Sequence, residues 1–329
     1  MGDVVFGIVA VLIGVVVSYG LYWLLNLLVS LLPGKLKSKA QVWAFVTPAA
    51  VLLILIAIVP LIQTVIWSFM DIKGRKSEFV GFQNYIDLFT DVDFLSIMLN
   101  NLLWVLFVPA ITVAIGTLVA NLGNNVGPRR EKIFKSLIFM PMAISFVAAA
   151  TIWAYLYAYS APGRPVIGLA QQIQLFFGVT EPVPVLQIDD FRFNNFLLMA
   201  VVIWLQVGYS MVIISAAIKA VPEETIEAAK IDGAGALQVF TRIILPQVWG
   251  TIMAVFVTVL ILVMKIFDIV LAMTGGNFNT SVLAFEWYRV YFENTDTGPA
   301  SAIVMVLVLL ITPLIWLQIR TVKQQETMR

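Results

Sequence analysis

Long intervals without a charged residue constrain the fold of this chain more than any other feature of its sequence. Each of seven intervals encloses more than 20 uncharged residues. Because the hydrocarbon core of a bilayer is about 30 Å thick, about 20 apolar residues of helix are enough to cross it. The intervals therefore predict an all-α membrane protein, a polytopic bundle of seven transmembrane helices. The predicted spans are centred near Val15, Ile56, Val108, Val147, Val207, Val257 and Leu309.

The composition agrees with a membrane location and excludes several kinds of chemistry. Hydrophobic residues make up 61% of the 329 residues and charged residues 12%, whereas a soluble domain has about 25% charged residues. Cysteine and histidine are absent, which excludes thiolate nucleophiles and disulfides and removes the commonest general base and metal ligand. A net charge of +1 offers no basic face for nucleic acid. We expect no catalytic residue, no metal site and no nucleic-acid partner.

The lysine and arginine residues predict the orientation, because they are enriched in cytoplasmic loops. If the loop after the first span is cytoplasmic, the inner side carries 13 basic and six acidic residues, a net +7. The outer side then carries six basic and 12 acidic residues, a net −6. Lys265 and Asp268 remain, and both fall within the sixth predicted span. This distribution places the N-terminus outside and the C-terminus in the cytoplasm.

Two segments allow more than one interpretation. The first apolar interval is either a retained helix or a cleaved signal peptide, and the retained helix is favoured because Asp3 is the only early charge and the apolar run is too long. The interval from Arg164 to Glu181 is too short to span. Its Pro165 and the pair Gln171 and Gln172 favour a helix that lies at the membrane interface.

The loop between spans 5 and 6, residues 219–246, has the pattern of a helix, a sharp turn and a second helix. Pro222 suits the first position of a helix, and acidic residues after it complement the helix dipole. Gly233 or Gly235 can supply the left-handed residue that ends the helix. A second short helix is expected from Leu237 to Ile244. The first helix has one face of small residues that another protein can approach closely; the alternative is an amphipathic loop that only rests on the membrane.

This loop also carries a family resemblance. The residues Glu227-Ala228-Ala229, then Gly233, Ile243 and Leu245-Pro246, at their fixed spacing, resemble the signature of ABC-importer permeases that work with a solute-binding protein. The resemblance implies that the first helix is a coupling helix, which docks into a cleft of an ATP-hydrolysing subunit. The implied ATPase-coupling residues are Glu227, Ala228, Ala229, Asp232 and Gly233. The resemblance covers roughly Asn100 to Lys323.

Three further stretches narrow the resemblance to carbohydrate permeases of the maltose type. Residues 135–147, residues 203–209 and Phe267-Asp268 followed by Thr274-Gly275-Gly276 are most similar to alpha-glucoside and glucosylglycerol permeases. The resemblance implies ATP-driven carbohydrate import by alternating access at a bacterial cytoplasmic (inner) membrane. The chain has no G-x-x-x-x-G-K-[ST] phosphate loop, so ATP and Mg are expected on a partner chain.

The implied partners are a second homologous permease, two cytoplasmic ATPase subunits, an extracytoplasmic solute-binding protein, a sugar and the lipid bilayer. A heterodimer of permeases is expected, with a homodimer as the alternative. The chain is then divided into an extra N-terminal transmembrane helix at 1–34, a second transmembrane helix with an outer loop at 35–98, a permease core at 99–323 and a short cytoplasmic tail at 324–329.

Candidate substrate-binding residues lie in spans 5 and 6. Trp204, Gln206 and Tyr209 offer aromatic faces and a polar group, which sugars need. In similar maltose permeases, the tyrosine matching Tyr209 contacts sugar, and the alternative for Trp204 is simple packing. Lys265 and Asp268 are spaced i, i+3, so on one helix they would share a face and could form an ion pair. Charges inside a membrane are costly, which makes both functional candidates, with a structural ion pair as the alternative.

Other functions remain as alternatives at this point. The substrate of an importer could instead be a polyol or glycerol phosphate. A secondary transporter is expected to show two matching halves with broken helices, and an intramembrane enzyme needs paired acids, which share no predicted span here. A receptor or scaffold function would not explain the helix pair in the cytoplasmic loop between spans 5 and 6.

Overall fold

The computed structural model describes residues 2–31, 33–73, 76–124 and 126–327. These residues are mostly helical. The helices are α1 (Gly2–Ser30), α2 (Gly34–Leu53), α3 (Val59–Trp67), α4 (Gln83–Thr90), α5 (Val92–Asn124), α6 (Pro128–Phe139), α7 (Phe146–Leu156), α8 (Leu169–Phe176), α9 (Phe193–Lys219), α10 (Glu223–Ile231), α11 (Ala236–Gln238), α12 (Leu245–Met264), α13 (Asp268–Met273), α14 (Leu283–Tyr288) and α15 (Thr297–Thr327). Of the predicted tail, residues 328 and 329 lie outside the described residues.

Two short strands modify the prediction of an all-α fold. β1 (Met70–Lys73) and β2 (Lys76–Phe79) form an antiparallel hairpin in which Met70 pairs with Phe79. The buried amide of Asn84 on α4 donates to the carbonyl oxygens of Ser68 and Met70, both at 3.0 Å. These bonds hold α4 to the start of the hairpin.

Six described helical segments are long and apolar enough to cross a membrane, and a bent pair supplies a seventh if it counts as one span. The six segments are Val5–Ser30, Ala40–Trp67, Val92–Asn124, Asp190–Lys219, Ala236–Met264 and Thr297–Arg320. The fourth predicted span corresponds to the bent pair, Pro128–Ala143 and Phe146–Leu156, whose axes differ by 100°. The axis changes direction at Ile144 and Ser145, whose backbones are extended. Pro141, which has no N–H for a helical hydrogen bond, lies in the 3-10 turn just before them.

The chain divides into two compact units, Met1–Ile66 and Trp67–Arg329. In the first unit, α1 packs along α2, and the rings of Tyr22 and Phe45 stack with centroids 5.9 Å apart. The two candidate spans here are Val5–Ser30 and Ala40–Trp67, and no part of the most apolar stretch of either one is buried. Helices that are apolar all round and uncovered by protein have the character of lipid-facing helices.

In the second unit, α5 and α9 form the central pair and run parallel. Near their N-terminal ends the buried Trp104 donates its indole N–H to Asn195 at 3.3 Å. Near their C-terminal ends Ser215 donates to Asn124 at 2.8 Å. Between these points, a Cβ on Gly116 would lie 2.3 Å from the Ser210 hydroxyl, so a glycine permits the close approach. Following the charge distribution, we call the side on which both helices begin the outer side.

The parallel pair decides how the bent segment is counted. Because α5 ends on the inner side and α9 begins on the outer side, the chain between them must return across the membrane. Residues 128–156 are the only described part of that connection with the apolar length to do so. This geometry supports counting α6 and α7 together as one broken span, which gives seven crossings.

A cluster of polar side chains holds the loop after α13 to the outer ends of α5 and α9. The buried Asn100 donates to the carbonyl oxygens of Asn279 and Ser281, both at 2.8 Å, and accepts from Arg192. Asn194 donates to the carbonyl oxygen of Phe278 at 2.6 Å. Residues 191, 192, 278 and 279, all non-glycine, have positive φ, so these side-chain bonds hold a costly backbone conformation in place.

Candidate functional site

A helix is present in the loop where the sequence predicts one: α10 begins after Pro222 and runs from Glu223 to Ile231. It stops because Gly233 adopts φ +84°, the left-handed conformation that glycine takes without strain. The N–H of Ala234 then bonds the carbonyl oxygen of Ala229 at 3.0 Å, which satisfies one of the final carbonyls of the helix. The local signals in the sequence thus dictate the helix and its sharp end.

The surface of this element is open and partly apolar. Of the predicted coupling residues, Glu227, Ala228, Asp232 and Gly233 are exposed and Ala229 is half-buried. Ile231 is 86% exposed and Leu237, across the turn, is 75% exposed. Two large apolar side chains beside small residues and a carboxylate form a surface suited to a protein groove.

The second helix of the loop is longer than predicted. It begins with α11 at Ala236, continues through a π-helical segment at Val239–Ile244 and joins α12 without a break. The predicted short helix from Leu237 to Ile244 is therefore the inner end of a 29-residue span. Pro246 lacks an N–H for a helical hydrogen bond, and it follows the π-helical segment, where the regular α-helical pattern is already interrupted.

The three candidate residues on α9 have different environments. Trp204 packs edge to face on Trp153 of α7 with ring centroids 5.8 Å apart, a contact that favours the packing interpretation for this residue. Gln206 is 7% exposed. Tyr209 is half-buried and lies at the start of an open stripe that continues through Val212 and Ile213. Tyr209 is 16 residues from the start of α9, or about 24 Å along its axis.

Gly208 brings the broken span directly against α9 beside Tyr209. A Cβ at Gly208 would lie 2.5 Å from the carbonyl oxygen of Ile138 and 2.7 Å from Cα of Phe139. The chain then turns through a 3-10 segment at Met140–Ala143 before Ser145 caps α7 by accepting from the N–H of Ala148 at 3.2 Å. An interrupted helix thus lies next to the aromatic residue that the sequence indicates as a sugar contact.

The structure contradicts the expectation that Lys265 and Asp268 share one helix face. α12 ends at Met264, and Phe267 has φ −140° and ψ −52°, outside the helical region. α13 then begins at Asp268. No hydrogen bond or ion pair joins Lys265 to Asp268, both of which lie in the described part of the chain. Each charge instead lies at the helix end whose dipole it complements, a cation at a C-terminus and an anion at an N-terminus.

The break also changes the expected depth of Lys265 and Asp268 in the membrane. The span that ends at Met264 has 29 residues and is about 43 Å long, which exceeds the thickness of the hydrocarbon core. Lys265 is exposed and Asp268 is half-buried. Their position after a complete span removes the argument that they lie deep in the membrane.

The structure brings some of these residues near one another and separates others. α13, which starts at Asp268, packs against α7 and α9, so two interrupted helices adjoin the helix that carries Tyr209. Val259, Val263 and Ile266 are buried and pack rather than line an open path. The residues predicted to couple to an ATPase form a separate group on α10 and the turn after it. Among the described residues, no group of three acidic side chains is placed to hold a metal ion.

Sequence reasoning missed the two features that shape this region. Gly208 gives no sequence signal because a glycine within an apolar span is common, and only the packing shows its role. The bend has a signal in Pro141, but counting charge-free intervals does not register it. The interruption at residues 265–267 contains neither glycine nor proline.

Comparison with known proteins gives consistent matches over most of the chain. Residues 95–322 match the family described as "Binding-protein-dependent transport system inner membrane component". The osmoprotective compounds uptake permease protein GgtC of Synechocystis is 45% identical over 285 residues, covering 87% of this chain and 100% of that protein. The alpha-glucoside transport system permease protein AglF of Rhizobium meliloti is 39% identical over 342 residues, covering 99% of each.

A solved structure shares the fold. A chain in the crystal structure of a bacterial alginate ABC transporter, in complex with an alginate pentasaccharide-bound periplasmic protein, superposes with a TM-score of 0.74. The match covers 86% of this chain and 94% of that chain at 19% sequence identity. At this identity the likeness concerns the fold alone.

Proposed function

The chain belongs to the family of binding-protein-dependent transport system inner membrane components, and from this premise we propose that it is a permease subunit of an ATP-driven importer for a small glucoside. The observation that carries the proposal is α10, a short exposed helix ended by Gly233 with Ile231 uncovered at its tip. Such a helix on the inner side gives a separate ATPase a surface to bind. The partner hydrolyses ATP, and this chain forms the path along which the glucoside crosses the membrane.

Import in this proposal is alternating access driven from the inner side. Closure of two ATPase subunits on ATP displaces α10, and Glu227 supplies a charge for the groove that receives it. The displaced helix pulls on α9 and on the start of the α11 to α12 span, to which α10 is directly joined. A bundle with two arrangements biased by a distant ligand behaves in this way.

The substrate class rests on the relatives and on the character of the α9 region. The names of the two relatives, osmoprotective compounds uptake and alpha-glucoside transport, are consistent with small neutral glucosides such as glucosylglycerol or a disaccharide. Tyr209, half-buried next to the close contact of Gly208 with the end of α6, provides a ring face for sugar C–H groups. In this proposal Lys265 and Asp268 lie at the outer end of the same path, and Gln206 and Trp204 belong to the site on α9 together with Tyr209.

The partners follow from the same premise. A solute-binding protein delivers the sugar from outside, since the family is named for its dependence on one. We place a second, different permease beside this chain and two ATPase subunits, which carry ATP and Mg, beneath the pair. The N-terminus lies outside and the C-terminus in the cytoplasm of a bacterial inner membrane.

Reconstitution tests this proposal. The complete complex is placed in liposomes with its binding protein, and ATP hydrolysis is measured with glucosylglycerol, maltose, trehalose, sucrose and glycerol phosphate. We expect stimulation and uptake with at least one glucoside and none with glycerol phosphate. Stimulation by glycerol phosphate alone would overturn the substrate class, and a complex that imports nothing with ATP would overturn the importer.

Tyr209 gives a residue-level test in the same system. Tyr209→Ala removes the ring, and we expect the sugar concentration for half-maximal uptake to rise by about tenfold, since a stacked ring contributes about 0.5–1.5 kcal/mol beyond its buried area. Tyr155→Ala is the matched control, because Tyr155 on α7 is 68% exposed. Equal effects of the two variants would contradict a substrate role for Tyr209.

A further inference from the structure

A cluster of polar side chains joins three helices on the inner side, next to the coupling helix. We call it the inner clamp. It consists of Asn124 at the end of α5, Glu131 and Lys135 on α6, and Ser215 and Lys219 at the end of α9. Sequence reasoning assigned none of these residues a role beyond the charge count.

Glu131 is the centre of the inner clamp. Its carboxylate accepts from Lys219 at 2.5 Å and also pairs with Lys135, one turn further along α6. Lys135 in turn donates to Asn124 at 3.2 Å and contacts the hydroxyl of Ser215. One carboxylate and one ammonium thus connect α6 to both members of the parallel α5 and α9 pair.

The central pair is largely withdrawn from water. The side chain of Glu131 is 14% exposed and that of Lys135 is 21% exposed, while Lys219 is 53% exposed. Removing one member of a shielded pair leaves the other charge without its partner, which is strongly unfavourable. The neighbouring Lys132, in contrast, is exposed and forms no ion pair with any residue that the structure describes. The inner clamp is therefore a specific arrangement and not a general basic surface.

The position of the inner clamp relates the coupling helix to the substrate path. Lys219 is the last residue of α9, and α10 begins only four residues later. α6 has 12 residues, a rod about 18 Å long. One end of this rod is held by Glu131 near α10. Its other end lies on Gly208, beside Tyr209, where the span turns through Met140–Ala143.

We propose that Glu131 is a positioning residue for transport, which joins α6 to the inner end of α9 so that a displacement of α10 reaches the turn beside Tyr209. The proposal rests on the importer function proposed above. In it, α6 and the end of α9 move as one body, and the ion pair to Lys219 stays closed through the transport cycle. Without the pair, α10 and α9 still move, but α6 follows them less closely because only Lys135 and the contact at Gly208 still hold it.

The first test removes the charge of Glu131 and keeps the shape of its side chain. With Glu131→Gln in the reconstituted complex, we expect sugar imported per ATP hydrolysed to fall by about fivefold, within the range found for residues that carry coupling. Co-purification of the ATPase subunits and ATP hydrolysis should persist. Lys132→Gln, one residue away on α6, is the control and should keep the wild-type ratio. A Glu131→Gln complex with an unchanged ratio would overturn the proposal.

The second test replaces the ion pair by a covalent tether. The chain has no cysteine, so Glu131→Cys and Lys219→Cys together introduce its only thiols, and the two single variants control for thiols elsewhere in the complex. A reducible bifunctional thiol reagent should restore the ratio that the double variant has lost, and reduction should abolish it again. A tether that blocks uptake would show that the two helices must separate, which contradicts the proposal.

These outcomes are distinct from a failure of the proposed function. If the wild-type complex imports no substrate, the importer itself is in doubt and the clamp variants carry no weight. If the wild type imports and Glu131→Gln matches it, only the role of Glu131 is overturned. If Glu131→Gln does not assemble, the tethered double variant decides.

Discussion

At Gly208, no space remains for a methyl group between α9 and the end of α6. The carbonyl oxygen of Ile138 would lie 2.5 Å from a Cβ at this position, so backbone and not a flexible side chain would have to move. The close approach holds the turn at Met140–Ala143 beside Tyr209. The geometry of the candidate substrate path therefore depends on a residue with no side chain.

Gly208→Ala tests this dependence. We expect it to destabilise the purified protein by about 1–3 kcal/mol, as overpacking of a filled interior does, and to reduce uptake because the turn is displaced. Gly14→Ala is the control, since nothing lies within 4 Å of a Cβ at Gly14 on α1. The measurement is the unfolding midpoint of both variants in detergent. If they unfold alike, the two helices are not packed through Gly208.

Asn100 has a comparable role on the outer side, where it makes two hydrogen bonds to the loop after α13 and accepts one from Arg192. Asn100→Leu leaves the carbonyl oxygen of Ser281 without its donor and that of Asn279 with only the bond from Asn195, at an expected cost of about 1–3 kcal/mol. Cleavage by a protease added from outside should then increase at residues 275–281. Asn294→Leu, at an exposed position, should leave the cleavage rate unchanged. Equal cleavage in both variants would contradict the role of Asn100.

At the scale of elements, α10 was predictable from the sequence and the interrupted helices were not. α10 depends on neighbouring residues only, Pro222 before it and Gly233 after it, and local signals of this kind can be read directly. The interruption after Met264 contains Lys265, Ile266 and Phe267, which all enter helices readily. It must come from the packing of α13 against α7 and α9, which the sequence does not reveal. The hydrogen bonds that Asn100 donates on the outer side are equally non-local, because their acceptors lie 179 and 181 positions further along the chain.

The exposed tip of α10 gives the prediction that belongs to this scale. Ile231→Asp places a charge where an apolar side chain is 86% exposed, and we expect binding of the ATPase subunit to weaken at least about tenfold. Co-purification at increasing dilution measures this. Ile167→Asp is the control, because Ile167 is 63% exposed on the predicted outer side. If both variants retain the ATPase subunit, α10 is not its docking element.

At the scale of the whole molecule, the charge distribution predicts which surfaces face the cytoplasm. Thr180 and Gln238 are both exposed and lie on opposite sides in the predicted orientation. In cells, Thr180→Cys should react with a membrane-impermeant maleimide without permeabilisation, and Gln238→Cys only after it. The absence of native cysteine gives the unmodified chain as a blank. The reverse pattern of labelling would show that the predicted orientation is wrong.

The charge-free intervals predict seven spans, and the described residues contain six apolar helices, or seven if the bent pair counts as one span. The shapes of the spans were not predictable in this way. A charge count treats residues 135–164 as one straight span, yet the axes of Pro128–Ala143 and Phe146–Leu156 differ by 100°. A charge count also places Lys265 and Asp268 in the sixth span, although α12 ends at Met264. The positions of charged residues indicate where the chain enters and leaves a membrane. The path of the chain between those points depends on close contacts such as that at Gly208.

The N-terminal unit has a consequence for how the protein is made. α1 and the segment from Ala40 to Trp67 are apolar on all sides, and no part of their most apolar stretches is buried. Their insertion therefore draws its free energy from lipid alone. Because they precede the other helices in the chain, they can enter the bilayer before any of those helices has been synthesised. They would then fix the orientation in which the remaining helices are threaded during synthesis.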